Sequence, residues 1–171
     1  MKIVVLNGSP NTDGNTAFLI DSFKEGAEAA GHTVTVLQIG QMDVTAPFDF
    51  DERRKHGKRD FPDDESEILK AMEEADMLVL ASPIYYFMVT FYLEGVIQHL
   101  HGYVFPKSIR KTALLLSSGS DGVYDAAIQQ YHMIFQDYMG LEDAGVFTAH
   151  GAENKSEEKF RELVDFGRSL R

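Results

Sequence analysis

The sequence predicts an α/β protein: a parallel sheet with helices packed on both of its faces. Three observations lead there. Short apolar runs rich in Val, Ile and Leu recur along the chain, each closing on small polar residues. Between them lie longer segments whose apolar residues return every three or four positions. Runs buried on both faces suit parallel strands, and the helical segments supply the crossovers that parallel strands require. The length, 171 residues, suits one domain spanning residues 1–171.

Each element follows from its local pattern. Ile3 to Leu6 is an apolar strand ending at Asn7-Gly8. Thr16 to Ala30 reads as a helix, with Leu19, Phe23, Ala27 and Ala30 at helical spacing and Gly31 as its stop. Thr33 to Ile39 is rich in β-branched residues and reads as the second strand. Residues 40–64 have no period and read as a long polar loop carrying the basic run Arg53 to Arg59. Asp64 can cap a helix to Ala75, with Ile68, Met72 and Ala75 on one face. Met77 to Ala81 is the third strand, stopped by Ser82-Pro83. A helix from Thr90 to Leu100 buries Leu93, Val96, Ile97 and Leu100. Thr112 to Leu116 is the fourth strand, Tyr124 to Met139 a helix stopped by Gly140, and Ala144 to Ala149 the fifth strand. Ser156 caps a last helix to Leu170, turning Phe160, Leu163, Val164 and Gly167 inward. Five such units suit a flavodoxin-like three-layer sandwich with strand order 2-1-3-4-5 better than a six-stranded dinucleotide fold.

Composition excludes several functions. The formal net charge is -11, which argues against binding nucleic acid or an anionic membrane. The absence of cysteine removes disulfides, thiol catalysis and cysteine-held clusters. No stretch approaches the roughly 20 apolar residues of a membrane span, and the N-terminal apolar run is too short for a signal peptide. A cytoplasmic protein is the expectation.

In open α/β sheets ligands sit beyond the carboxyl ends of the strands, near the reversal of strand order. The loops after strands 1, 3 and 4 are therefore the candidates. The first, Gly8 to Thr16, runs into a helix N-terminus, where free N–H groups and the helix dipole favour a phosphate. Its short polar and small residues, Ser9, Asn11, Gly14, Asn15 and Thr16, include no cation. Gly14 is followed by Asn15, so a Walker lysine is missing, and the glycine spacing misses the dinucleotide fingerprint. What remains is a terminal phosphate held by neutral donors, which FMN offers. The second loop supplies Pro83, Ile84, Tyr85, Tyr86 and Phe87 as walls for a planar ring, or as an interface. The third supplies Ser118, Gly119 and Asp121 for a pyrimidine edge or ribityl chain. A plain helix cap, an aromatic core segment and an ordinary turn are the structural alternatives for the three loops. His99 and His101 do not share a helix face, so no metal site is expected from them.

Gly8-Ser9-Pro10, Gly14-Asn15-Thr16 and Ser82-Pro83-Ile84-Tyr85, in that order, resemble the flavodoxin-like NAD(P)H-dependent FMN reductase and quinone reductase superfamily, most of all its iron–sulfur flavoprotein branch. The resemblance implies FMN as prosthetic group, NADH or NADPH as co-substrate, a small acceptor such as a quinone or flavin, and a homodimer or homotetramer with the flavin near the subunit boundary. It implies that Ser9, Asn15 and Thr16 meet the phosphate, and that Pro83 to Tyr86 line the ring. The branch's compact cysteine motif falls in the long loop, near Pro47 to Arg54, and no cysteine stands there. No side chain is assigned as a catalytic acid or base, because the flavin carries the reactivity. The rival readings are a flavodoxin-type electron carrier, favoured by acidity, and a flavin-free binding module.

Overall fold

A computed structural model describes residues 1–44, 65–100 and 105–171, with the side chains of Glu65 and Ser66 left aside. The expected basic run, the Asp64 cap and His101 lie outside the described residues.

Five parallel strands form one sheet in the order β2-β1-β3-β4-β5, as expected. They are β1 (Lys2–Asn7), β2 (Thr33–Leu37), β3 (Met77–Pro83), β4 (Lys111–Ser118) and β5 (Glu142–His150). The helices are α1 (Asn15–Ala29), α2 (Glu65–Glu73), α3 (Phe91–His99), α4 (Asp125–Tyr131) and α5 (Glu157–Ser169). Strand alternation sorts the core into two layers. Val4, Leu6, Leu114 and Leu116 meet α2, α3 and α4, whereas Ile3, Val5, Ala113 and Leu115 meet α1 and α5.

The α1–α5 contact is close. A Cβ on Gly26 would lie 2.0 Å from the Val164 carbonyl oxygen, and one on Gly167 would lie 2.4 Å from that of Phe23. Backbone therefore meets backbone, which only glycine permits.

The structure corrects several boundaries. Ser82 and Pro83 extend β3 rather than stop it, and Pro83 pairs with Ser117. Proline is tolerated there because it stands at the strand's end. Ala30, expected on the core face of α1, is exposed past the helix end. The helix expected from Tyr124 to Met139 is α-helical only to Tyr131 and continues as a π-helix over His132–Tyr138. That wider turn slips the residue spacing. His99, the last residue of α3, is 5% exposed. No helix among the described residues is long and apolar enough to cross a membrane.

Candidate functional site

The order β2-β1-β3 places the reversal between β1 and β3, and the three candidate loops converge there. The first loop is pinned by buried hydrogen bonds. The Gly8 N–H donates to the Ala81 carbonyl at 2.8 Å, and the Gly8 carbonyl accepts from Thr90 Oγ1 at 2.7 Å. The Ser9 N–H donates to Asn7 Oδ1 at 3.0 Å, and Asn7 Nδ2 donates to Gln38 Oε1 at 2.7 Å. The Asn11 N–H donates to Ser9 Oγ at 3.1 Å. From outside, Gly40 presses so close that a Cβ there would lie 2.1 Å from the Ser9 carbonyl oxygen.

This loop delivers an uncapped helix. Gly14 occupies the N-cap of α1 in extended backbone, no side chain caps the helix, and its first turn holds no acidic residue. The first helical bond is from the Phe18 N–H to the Gly14 carbonyl at 3.1 Å, so the N–H groups of Asn15, Thr16 and Ala17 begin the helix without a capping acceptor. Asp13, the one charged residue of the loop, is exposed, where water and salt screen it. The donors suit an anionic ligand at the dipole's positive end.

The second loop is built differently. The Ile84 N–H donates to the Ser117 carbonyl at 2.8 Å and ties the loop's base to β4. Beyond it, Tyr85 and Met88 exchange backbone hydrogen bonds of 3.0 and 3.1 Å across a two-residue turn. Tyr86 and Phe87 hold φ of 49° and 69°. Left-handed backbone in two bulky residues is rare and costs about 1–2 kcal/mol each. Tyr86 is 96% exposed, and Tyr85, Phe87 and Phe91 are more than half exposed.

The third loop leans on both neighbours. Ser117 Oγ and Thr16 Oγ1 share a buried hydrogen bond of 2.8 Å that joins β4 to α1. The Ser118 carbonyl accepts from Asn154 Nδ2 at 2.7 Å. The Ser120 N–H donates to Ser118 Oγ at 3.1 Å, and the Gly122 N–H to Asp121 Oδ1 at 2.7 Å.

A cleft of about 160 Å³ opens between the loops. Ser9, Asn11, Gly14 and Asn15 line it from the first, Pro83, Ile84 and Tyr85 from the second, and Ser118 and Gly119 from the third. Of the other predicted residues, Thr16 is 1% exposed and turned to Ser117, and Tyr86, Phe87 and Asp121 stand outside the lining. Ser117 lines the cleft and was not predicted; its place beside the β4 carboxyl end was the available signal. A larger cavity, about 880 Å³, lies at the opposite sheet edge between Ile109, Arg110, Tyr138 and Leu141. That edge carries the strands' amino ends, and the cavity's walls include Leu100 and Phe105, which flank the undescribed 101–104. The small cleft lies at the switch point, where open α/β sheets offer their ligand crevice.

Fold and loops together define a protein of the flavodoxin-like class that binds a phosphate-bearing cofactor. Residues 1–151 match the family described as NADPH-dependent FMN reductase, and the chain belongs to that family, whose cofactor is FMN and whose chemistry is oxidoreduction. An iron–sulfur flavoprotein of Methanocaldococcus jannaschii is 26% identical over 138 residues, covering 79% of this chain and 72% of the relative. An iron–sulfur flavoprotein of Archaeoglobus fulgidus is 31% identical over 100 residues, covering 58% of this chain and 47% of the relative. The chain thus matches less than half of that protein's length. Among solved structures, an NAD(P)H:quinone oxidoreductase from Methanothermobacter marburgensis has a TM-score of 0.69 at 18% identity, covering 98% of this chain and 92% of that one. An FMN-dependent NADH-azoreductase from Bacillus anthracis, in complex with FMN, has a TM-score of 0.71 at 17% identity, with 98% of each chain covered. At such identities the two structures establish the fold.

The residues present fit FMN. Its phosphate matches the uncapped α1 N-terminus with Ser9, Asn11 and Asn15 as neutral donors, and Pro83, Ile84 and Tyr85 offer apolar walls for the ring.

Proposed function

We propose that this protein is an FMN-dependent NAD(P)H oxidoreductase that passes electrons to a small acceptor such as a quinone or a flavin. The observation that carries the reading is the capless, cation-free helix start at the switch point, flanked by the aromatic second loop. Bound FMN supplies two-electron chemistry. The chain's own residues bind and orient: the first loop holds the phosphate, and Ile84 and Tyr85 shield one wall of the cleft. Thr16 supports the site through its backbone N–H while its hydroxyl is occupied by Ser117. The test is the visible spectrum of the purified protein followed by anaerobic titration with NADPH and NADH. Bleaching of the flavin bands is expected; a flavin that neither nucleotide bleaches sinks the enzyme reading. An electron carrier is the second reading, favoured by the charge of -11; it predicts a flavin reduced only through a partner reductase.

The exposed Tyr85, Tyr86, Phe87 and Phe91 support assembly with a second copy around the cleft. Light scattering on the wild type and on Tyr86→Ser/Phe87→Ser checks it: a homodimer or homotetramer is expected for the wild type and a smaller species for the variant.

A further inference from the structure

At the carboxyl end of β4 the polar groups are engaged one after another. Ser117 Oγ is bonded to Thr16 Oγ1 at 2.8 Å, and the Ser117 carbonyl accepts from the Ile84 N–H at 2.8 Å. Ser118 Oγ accepts from the Ser120 N–H at 3.1 Å, and the Ser118 carbonyl accepts from Asn154 Nδ2 at 2.7 Å. The next donor, the Gly119 N–H, has no hydrogen-bond partner among the described residues. Its direction follows from the peptide plane. The Ser117 carbonyl faces the second loop on the β3 side, and the Ser118 carbonyl faces the turn after β5. No peptide among the described residues is cis, so the Gly119 N–H runs antiparallel to the Ser118 carbonyl. It is therefore turned to the β3 side, where Pro83, Ile84 and Tyr85 form the facing wall of the cleft that Gly119 itself lines.

What sets that plane is Asn154, on the 3₁₀ turn Gly151–Lys155. It is 1% exposed, and its Nδ2 also donates to the Gly151 carbonyl at 3.0 Å. Both partners are carbonyls, so only the amide nitrogen can meet them and the side chain has one orientation. Its Oδ1 is buried with no hydrogen-bond partner among the described residues. An apolar side chain of this size would leave no orphan oxygen, so what the amide contributes is the pair of bonds it donates. The turn is itself held from both sides. Glu153 accepts from the His150 backbone N–H at 3.3 Å and pairs with Lys159 of α5 at 3.3 Å, and Lys159 also pairs with Glu162. Burial pushes the Glu153 carboxyl upward, but the His150 N–H and the Lys159 ammonium outweigh it and hold the group below its ordinary value. The anchor is thus ionised at neutral pH, and Asn154 stands on a fixed base.

We propose that Asn154 is a positioning residue of the cofactor site: from the turn after β5 it holds the Ser118–Gly119 peptide so that the Gly119 N–H faces the cleft as a ready donor to a carbonyl oxygen of the bound ring. The proposal rests on the FMN reading and adds a fourth segment to the three loops. The pyrimidine edge of the ring carries two carbonyl oxygens, and a backbone N–H fixed before the ring arrives loses little freedom on binding it. Asn154 touches no ligand itself and acts through the peptide it holds. A residue that only anchored the turn would leave the Gly119 N–H and the ring carbonyls unaffected when replaced.

The experiment is NMR on the whole chain with isotope-labelled glycine, as apoprotein and loaded with FMN that carries labelled ring carbonyls. Gly119→Ala assigns the signal; a Cβ there meets nothing within 4 Å, so the apoprotein has room for it. On loading, the Gly119 amide proton is expected to move downfield and to exchange more slowly with solvent. In Asn154→Leu the amide response should be lost, one ring-carbonyl signal should move upfield, and FMN affinity should fall about tenfold, the scale of one hydrogen bond. Asn154→Asp, of the same size but with oxygen in place of the donor, serves if the leucine variant does not fold. A Gly119 amide that ignores FMN in the wild type overturns the proposal. So does a folded Asn154 variant that keeps the wild-type amide response, whatever its affinity. Both results leave the FMN reading standing. A protein that takes up no FMN overturns both.

Discussion

The first and second loops leave the same sheet edge yet are stabilised in opposite ways. The first is made of small residues, and the rest of the fold reaches in to pin it: Thr90 from α3, Asn7 from β1, Gln38 and Gly40 from beyond β2. The second is made of large residues, and its tip is held by the two Tyr85–Met88 bonds against the cost of two left-handed residues. A phosphate is bound by backbone groups, and these must be preorganised before it arrives. On the proposed reading a ring or an acceptor would be met by side-chain surface, and the tip of the second loop is where such surface is exposed. Strain gathers where function requires an otherwise unfavourable backbone.

The comparison is broken most severely by Gly40→Ala. The new Cβ would meet the Ser9 carbonyl at 2.1 Å and the Pro10 nitrogen at 2.7 Å, both backbone atoms that cannot rotate away. A loss of about 1–3 kcal/mol or more is expected from overpacking, together with loss of FMN affinity. Thermal unfolding and fluorescence titration measure the two, and wild-type values for both would show that the first loop is not rigid. Thr90→Ala comes next. It removes the hydroxyl that donates to Gly8 and caps α3. A loss of about 1–2 kcal/mol is expected, largely restored by Thr90→Ser.

Changes in the second loop should run the other way. Tyr86→Asn with Phe87→Gly places the residues preferred by a two-residue turn of this hand where bulky ones stand. Compared at a dilution where wild type and variant are both single chains, so that lost assembly does not enter, the pair is expected to raise Tm by about 2–4 °C for each 1 kcal/mol gained. A lower Tm would mean that the two aromatics are held by contacts stronger than the strain.

The smallest effect is the pH dependence of the Glu153–Lys159 pair. The Glu153 carboxyl is depressed in the folded state, so its contribution is present above its ordinary value and is lost as pH falls through the depressed one. Burial opposes the Lys159 ammonium, but Glu162 and Glu153 outweigh it and raise its value. That contribution is complete below the ordinary lysine value and fades as pH rises through the raised one. Denaturant midpoints taken across pH should fall at both extremes, and Glu153→Gln should flatten the acid limb.

Much of the molecule was legible along the chain because its signals are local. Apolar runs marked β1 and β3, helical spacing marked α1 and α3, and a polar loop with Gly14 before a helix marked the uncapped start of α1. The boundaries that failed depend on distant partners. Ser82-Pro83 extends a strand because β4 is there to pair with it. The π-turn after Tyr131 accompanies a buried cluster in which Tyr131 reaches Thr112 and Asp143, and Gln136 reaches Thr112, contacts between α4, β4 and β5 that no local spacing announces.

The sequence by itself determined the types of the main elements and the neutral, cation-free make-up of the first loop, because periodicity, turn residues and missing cations are properties of neighbours in the chain. Only the tertiary structure decided that Thr16 turns its hydroxyl to Ser117, that Tyr86 and Phe87 adopt left-handed backbone, and that His150, 29 residues beyond Asp121, stands beside it. These are contacts between separate elements, and they exist because a parallel sheet gathers the carboxyl ends of its strands at one edge.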